Sequence, residues 1–138
     1  MNVTRVCFVG TRTAAFDETV ACFRDVLGLE PAFANPKWAG FKLGSGPRDF
    51  VEVFGDRQHD ERLFPSEVES GCLVAFAVDD VVAARAELSA AGVELINEIV
   101  WADDVFNDSA YAGFGWCFFR APDGNIYVLQ QERAPEPA

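Results

Sequence analysis

The chain has 138 residues, 50% of them hydrophobic, and this length and composition predict one folded domain rather than a disordered chain. Its 22 acidic residues outnumber 11 basic ones, and the net charge of −11 argues against a nucleic-acid partner, because phosphates would be repelled. No apolar run approaches the roughly 20 residues of a membrane helix, and no secretory signal opens the chain. We therefore expect a cytoplasmic protein without a membrane partner.

The first half of the chain predicts a strand, a helix and three further strands, in that order. The helix is predicted over residues 15–27, because apolar residues recur there at helical spacing and Gly28 suits its C-terminal cap. The strands are expected at residues 5–10, 32–34, 40–43 and 49–54.

The second half repeats this order after a polar linker. Asp79 or Asp80 is a natural N-cap for a helix over residues 81–91, whose period is set by residues such as Val82 and Leu88. Strands are predicted at residues 72–78 and 93–101, and in a closing hairpin within residues 116–131. That hairpin turns at the tetrapeptide 122–125, Pro-Asp-Gly-Asn, where proline presets the reversal and glycine supplies a positive φ.

The four cysteines are scattered among apolar neighbours. No two of them have the spacing of a zinc or redox site, so we expect reduced thiols that pack as small hydrophobic groups. They are Cys7, Cys22, Cys72 and Cys117.

The two halves match in the order of their elements, apart from an insert at residues 102–115 in the second half. Such a repeat predicts an α+β fold of two tandem βαβββ modules, which form curved mixed sheets around a cleft. We expect a single domain over residues 1–138. Its predicted parts are module one at about 1–55, a linker at 56–70, module two at about 71–131 and a disordered tail at 132–138.

Three segments carry a family resemblance: FRDVLGL at residues 23–29, FAVDDV at 76–81 and APDGNIYVL at 121–129. With these segments and the repeat, the chain resembles the vicinal oxygen chelate superfamily, which groups glyoxalase I, bleomycin-resistance proteins and extradiol dioxygenases. The resemblance implies a fold that serves lyases, isomerases, dioxygenases and plain binding proteins alike.

The resemblance also implies four positions for the metal ligands of the family's enzymes. In this chain they fall near Phe8, on Glu52, near Leu73 and on Val128. Only Glu52 has a side chain that coordinates a divalent ion, and protein sites usually supply three or four ligands. We therefore expect no metal and no cofactor.

Other residues that bind metals elsewhere are expected to be solvated here. The single histidine, His59, lies in the charged linker, and Asp103 and Asp104 lie in the insert. Their roles stay open, since an unusual ligand set with Glu52 and His59 is one form of the enzyme hypothesis given below.

Aromatic residues mark the expected ligand site. Phe50 and Phe54 flank Glu52 at even spacing, so the three side chains share one face of a strand. A buried carboxylate needs a partner, which a cationic or hydrogen-bonding ligand would supply, as would Arg12, Arg48 or Arg120. The insert, with its acidic and aromatic residues, predicts a mobile flap over the site. The candidate ligand-binding residues are Trp38, Phe41, Phe50, Glu52, Phe54, Trp101, Phe106, Tyr111, Trp116 and Phe118.

Our first hypothesis is a metal-free protein that captures a small molecule without chemistry, resembling the drug-sequestering antibiotic-resistance members of the superfamily. The ligand is expected to be flat and partly cationic, such as an antibiotic, and held by stacking and cation–π contacts. The alternative is a glyoxalase-like lyase or isomerase, or a dioxygenase-type enzyme, with an atypical site and Glu52 as a general base. A third option is a cleft filled by its own side chains. Open edge strands favour a homodimer.

Overall fold

The structure is a computed structural model that describes residues 1–44, 50–55, 64–68, 71–102 and 114–132. Residues Cys7–Val74 form one compact unit, and Met1–Val6 together with Ala75–Ala138 form another. In the described residues no helix has the length and apolar character needed to cross a membrane.

The unit Cys7–Val74 contains a four-stranded sheet and one helix. In chain order its elements are β1 (Val3–Thr13), α1 (Phe16–Ala21), β2 (Pro31–Ala34), β3 (Trp38–Lys42) and β4 (Phe50–Gly55), and a π-helical turn over Cys22–Val26 continues α1. The sheet order is β2-β3-β4-β1. Its first two pairs are antiparallel, and β4 runs parallel to β1.

One face of this sheet is covered by the helix. Alternation along β3 and β4 directs Ala39, Phe41 and Val53 to that face, where all three are fully buried. Phe16 and Phe23 pack against them from the helical segment. Burial of each large apolar side chain contributes about 2 kcal/mol, so this core holds the helix on the sheet.

The second unit contains the second half of β5 (Gly71–Val78), then α2 (Val81–Ala90), β6 (Glu94–Leu95), β7 (Val100–Trp101), β8 (Gly115–Arg120) and β9 (Ile126–Gln131). Its strands follow the order β5-β9-β8-β6, and β7 also pairs with β8. The core again lies under the helix and consists of Val78, Val81, Ala84, Cys117, Phe119 and Leu129.

The start of α2 is fixed by two side chains. The carboxylate of Asp80 accepts a hydrogen bond from the backbone N–H of Ala83 at 3.0 Å. The side-chain oxygen of Gln131 accepts one from the N–H of Val81 at 2.9 Å. Two of the four N–H groups that a helix start leaves without an internal partner are thus satisfied, and β9 is tied to α2.

The closing hairpin turns where the sequence predicts it. Gly124 has a φ of 85°, and its N–H donates to the carbonyl of Ala121 at 2.9 Å. The carboxylate of Asp123 accepts from the N–H of Asn125 at 2.9 Å and from the hydroxyl of Tyr127 at 2.7 Å. These bonds fix the register of β8 and β9.

The α+β class and the two βαβββ modules are confirmed. The strand predicted over 93–101 is wrong as a single strand, because β6 and β7 are separated at Asn97. There the side-chain oxygen of Asn97 accepts from the N–H of Phe118 at 2.8 Å and takes the place of a backbone partner. The helical period assigned to α2 is also shifted: Val82 is 56% exposed, whereas its neighbour Val81 is fully buried.

Several predictions concern residues outside the described ranges. Most of the linker, the tail beyond residue 132 and the insert between residues 103 and 113 are among them. The same holds for His59, Arg48, Asp103, Asp104, Phe106 and Tyr111.

Candidate functional site

The candidate site lies on the sheet face of the unit Cys7–Val74 that the helix leaves uncovered. Val51 and Val53 point toward the helical segment, so Phe50, Glu52 and Phe54 share the other face of β4, as predicted from their spacing. Glu52 is only 6% exposed. A carboxyl group therefore sits buried in the middle of this face.

Glu52 has a glycine beside it on each neighbouring strand. Gly10 of β1 and Gly40 of β3 are its register partners. A Cβ atom added at Gly40 would lie 2.4 Å from the ring of Phe33, and one at Gly10 would lie 2.9 Å from the ring of Phe54. The two glycines therefore leave room for aromatic rings to fold over the sheet next to the carboxyl group.

Six aromatic side chains surround this position and form what we call the aromatic cluster. Trp38 stacks on Phe54 with the ring planes 13° apart and the ring centroids separated by 6.0 Å. Phe33 lies edge-on to Trp38 with the ring centroids 4.7 Å apart, and the ring centroids of Phe64 and Phe54 are 4.8 Å apart. The cluster is completed by Phe8, whose ring centroid lies 6.1 Å from that of Phe54, and by Phe50, whose ring centroid lies 6.2 Å from that of Phe33. Its members are Phe8, Phe33, Trp38, Phe50, Phe54 and Phe64.

Burial raises the pKa of Glu52 to about 8, and a hydrogen bond with the Trp38 side chain opposes part of this rise. The cause is desolvation, which disfavours the charged carboxylate. At neutral pH the group is therefore mostly a neutral carboxylic acid, able to donate a hydrogen bond or to release a proton when a cation approaches.

Two arginines proposed as charge partners of Glu52 are bound elsewhere. The guanidinium of Arg12 donates to the carbonyl oxygens of Pro65 and Val68. Arg120 donates to the carboxylate of Glu94 at 2.8 Å. A ligand remains the candidate partner for the Glu52 carboxyl.

The residues described here do not fit a divalent metal. They contain no group of three or more histidine, cysteine, aspartate or glutamate side chains that could hold an ion. Among the described residues, the register partners of Glu52 are Gly10 and Gly40, and the aromatic rings on its sheet face, the Trp38 indole included, offer no lone pair to a metal ion. The ligand set that the family's enzymes use is therefore not reproduced by these residues.

Two of the predicted site residues lie on helix-covered sheet faces. Phe41 lies on the helix-covered face of β3 and is fully buried there. Side chains alternate between the two faces of a strand, and Phe41 follows Trp38 by three positions, so the two side chains point to opposite faces. Trp101 packs against the helix-side core of the other unit and covers Gly115, where an added Cβ would lie 2.7 Å from its ring.

Two further predicted residues, Trp116 and Phe118, belong to the second unit. They lie on the face of β8 opposite Cys117 and Phe119, which pack under α2, and they are 9% and 3% exposed. They are therefore buried on the side of β8 that faces away from α2.

The sequence reasoning missed Phe8, Phe33 and Phe64. Phe8 had a usable signal, since it precedes Gly10 by two positions in a strand and so shares its face. Phe33 could be assigned only from the register of β2 with β3, and Phe64 lies in the linker, where no periodicity exists.

The fold and the site together define a βαβββ protein with a buried carboxyl group among aromatic rings. A model of the glyoxalase/bleomycin resistance protein/dioxygenase superfamily matches residues 8–129. The chain belongs to this superfamily, as its three sequence segments predict. A comparison with curated protein sequences gives no match.

Solved structures with the same fold include enzymes. A Mn(II)-bound glyoxalase from Novosphingobium aromaticivorans is 26% identical with a TM-score of 0.65, over 94% of this chain and 39% of that one. A Streptomyces coelicolor methylmalonyl-CoA epimerase in complex with 2-nitronate-propionyl-CoA is 19% identical with a TM-score of 0.70, over 99% of this chain and 100% of that one. The present chain thus spans well under half of the glyoxalase chain and the full length of the epimerase.

Proposed function

We propose that this protein binds a small, flat and partly cationic molecule at the aromatic cluster, without a metal ion. The observation that carries this proposal is the burial of Glu52 between Gly10 and Gly40, under aromatic rings and away from other ionic partners among the described residues. A buried carboxyl group of this kind gains most from a ligand that brings its own positive charge or hydrogen-bonding group.

The aromatic rings favour a planar ligand. Trp38 and Phe54 are nearly parallel, and the indole is the best of the protein rings for attracting a cation. Such contacts contribute about 0.5–2 kcal/mol each, more when water is excluded. Stacking supplies affinity in this proposal, and Glu52 selects for positive charge. An antibiotic with a protonated nitrogen on a ring system is one compound of this class.

Tryptophan emission tests the proposal directly. A panel of flat aromatic cations, each paired with an uncharged compound of similar shape, is titrated into the full chain. We expect at least one cation to change the emission, and the change to be lost in Trp38→Phe. Glu52→Gln should weaken binding of the cation but not of its uncharged counterpart. If no cation alters the emission, or if Glu52→Gln leaves the preference intact, the proposal fails.

The raised pKa of Glu52 favours a second candidate, an acid–base enzyme. A carboxyl group with a pKa of about 8 is mostly protonated at neutral pH and loses its proton within about one pH unit of it, which suits a general acid or base. The epimerase and glyoxalase among the structural relatives are consistent with this candidate.

Metal analysis tests the metal-free part of the binding proposal. The protein is purified without chelator or affinity tag and examined by inductively coupled plasma mass spectrometry. The binding proposal expects far less than one metal ion per chain. Near-stoichiometric zinc, nickel, iron or manganese would favour the enzyme.

A further inference from the structure

Arg12 contacts a short segment that carries one member of the aromatic cluster, Phe64. We call this segment, Phe64–Val68, the strap. One guanidinium nitrogen of Arg12 donates to the carbonyl of Pro65 at 3.3 Å and also to the carbonyl of Val68. The N–H of Val68 donates to the carbonyl of Pro65 at 3.0 Å, so the strap is a single turn and Arg12 binds both ends of it.

The same guanidinium lies over the ring of Phe64, 4.9 Å from its centroid. A planar cation above an aromatic face adds a favourable cation–π contact to the two hydrogen bonds. Three interactions with one strap thus come from one side chain. Phe64 is 4% exposed, which shows how closely the strap is held.

The strap in turn lies on the candidate site. Phe64 is 4.8 Å from Phe54, and Phe54 stacks on Trp38. Arg12 is the register partner of Phe54, and the residue two positions before it, Gly10, is the register partner of Glu52. The strap is therefore attached next to the buried carboxyl, on the same face of the sheet.

We propose that Arg12 is a positioning residue that holds the strap over the aromatic cluster and so keeps water from Glu52. Its role in ligand binding rests on the function proposed above, whereas its role in covering Glu52 does not. A ligand reaches Glu52 when Arg12 releases the strap, and Arg12 thereby sets the rate at which the ligand enters and leaves.

The test uses the titration of Glu52 itself, followed by NMR of the side-chain carboxyl carbon and assigned with Glu52→Gln. Loss of a nearby cation alone would raise the pKa of Glu52, whereas entry of water would lower it. The sign of the change therefore separates the two roles of Arg12. Among the described residues, the other charged side chains on this sheet face and in the strap are Lys42 and Glu67, both exposed and unchanged in the variants.

In Arg12→Met we expect the titration midpoint to fall from about 8 toward the ordinary 4.5, by about one pH unit or more. Phe64→Leu should lower it as well, because the ring that covers Phe54 is lost while the charge of Arg12 remains. Arg24→Met is the matched control, since Arg24 pairs only with its exposed neighbour Asp25 among the described residues. It should leave the midpoint unchanged.

An unchanged or raised midpoint in Arg12→Met overturns the proposal. If circular dichroism shows that this variant does not fold, Arg12→Lys replaces it. Lysine keeps the positive charge but lacks the planar guanidinium with its several N–H donors, so a lower titration midpoint is again expected. A midpoint that stays at the wild-type value in both Arg12→Lys and Phe64→Leu also overturns the proposal.

Ethidium, a flat aromatic cation, serves as the probe of the kinetic consequence. By stopped-flow fluorescence, Arg12→Met should speed both association and dissociation severalfold. If the midpoint falls but ethidium does not bind the wild-type chain, Arg12 still covers Glu52 and the proposed binding function fails for this cation. If ethidium binds with unaltered rates in Arg12→Met, the strap does not control entry.

Discussion

Glu52 is the residue on which the candidate site depends. Its face of β4 follows from local alternation with Phe50 and Phe54, so the sequence alone predicts that the three side chains lie together. The glycines on both sides of it could not be predicted, because Gly10 and Gly40 reach Glu52 only through the register of β1 and β3. Register depends on pairing between distant segments, which a single strand does not encode.

The raised pKa of Glu52 predicts a stability that falls as the pH rises. The folded protein keeps this proton up to about pH 8, whereas the unfolded chain loses it near pH 4.5. Between these values the folded state binds more protons, so the free energy of unfolding declines by up to about 1.4 kcal/mol per pH unit and levels off above the folded pKa. Urea unfolding of wild type and Glu52→Gln at several pH values measures the difference.

We expect Glu52→Gln to remove most of this decline between pH 5.5 and pH 8, because the amide has no proton to lose in that range. Glu30→Gln, at an exposed position before β2, is the matched control and should keep the wild-type slope. If the free energy of unfolding depends on pH in the same way for wild type and Glu52→Gln, burial does not raise the pKa of Glu52.

At the scale of the element, β3 shows how a missing side chain shapes the site. Phe33 lies where a side chain on Gly40 would be, so Gly40→Ala forces the ring to move. Overpacking of this kind costs about 1–3 kcal/mol, which urea unfolding measures. Because Phe33 contacts Trp38 at 4.7 Å, the tryptophan emission should change as well.

Gly55→Ala is the control for this prediction. The nearest atom to a Cβ at Gly55 is 3.5 Å away, an ordinary van der Waals distance, so little loss of stability is expected. Equal stability of the two alanine variants would show that the Phe33 ring moves aside at no cost.

The sequence allows either of two neighbouring aspartates to cap α2, and in the structure the N-cap is Asp80. We expect Asp80→Ala to lower the free energy of unfolding by about 1 kcal/mol through loss of the N-cap hydrogen bond. Asp79→Ala should cost less, since Asp79 is exposed and the hydrogen bond that it accepts from Asn2 is also exposed. Chemical unfolding of both variants compares them, and a larger loss in Asp79→Ala would contradict the assignment.

Helices and the closing hairpin were predictable because their signals are local. Gly28, Gly92 and Gly124 all adopt positive φ, as expected of helix caps and a tight turn. The break between β6 and β7 at Asn97 was not predictable from local signals. The Asn97 side chain takes the place of a backbone acceptor only because β8, with the N–H of Phe118, lies beside it. The sequence predicts Val82 on the buried face of α2, whereas the structure buries its neighbour Val81. The helix is rich in alanine, whose small side chain gives little hydrophobic periodicity from which to assign the face.

At the scale of the whole molecule, the repeated order of elements predicted the superfamily fold. Each βαβββ module must cover one sheet face with its helix, and this physical requirement leaves few arrangements for such a sequence. The site was less predictable. Aromatic residues serve cores and ligand sites alike, and the faces of Phe41 and Trp101 emerged only from the packing of the helices.

The net charge of −11 makes a last prediction about how the proposed ligand arrives. A negative field attracts a cation from solution and speeds its association, and salt screens this attraction over about 10 Å at 0.1 M ionic strength. We expect the association rate of ethidium, measured by stopped flow, to fall as salt rises from about 0.02 to about 0.2 M. Its dissociation rate should change little, because stacking against Trp38 and Phe54 is not a long-range interaction.

An uncharged flat aromatic compound that also binds is the control, and its association rate should not depend on salt. The same salt dependence for both compounds would contradict electrostatic attraction, and a strong salt effect on dissociation alone would indicate binding at the acidic surface instead of the aromatic cluster.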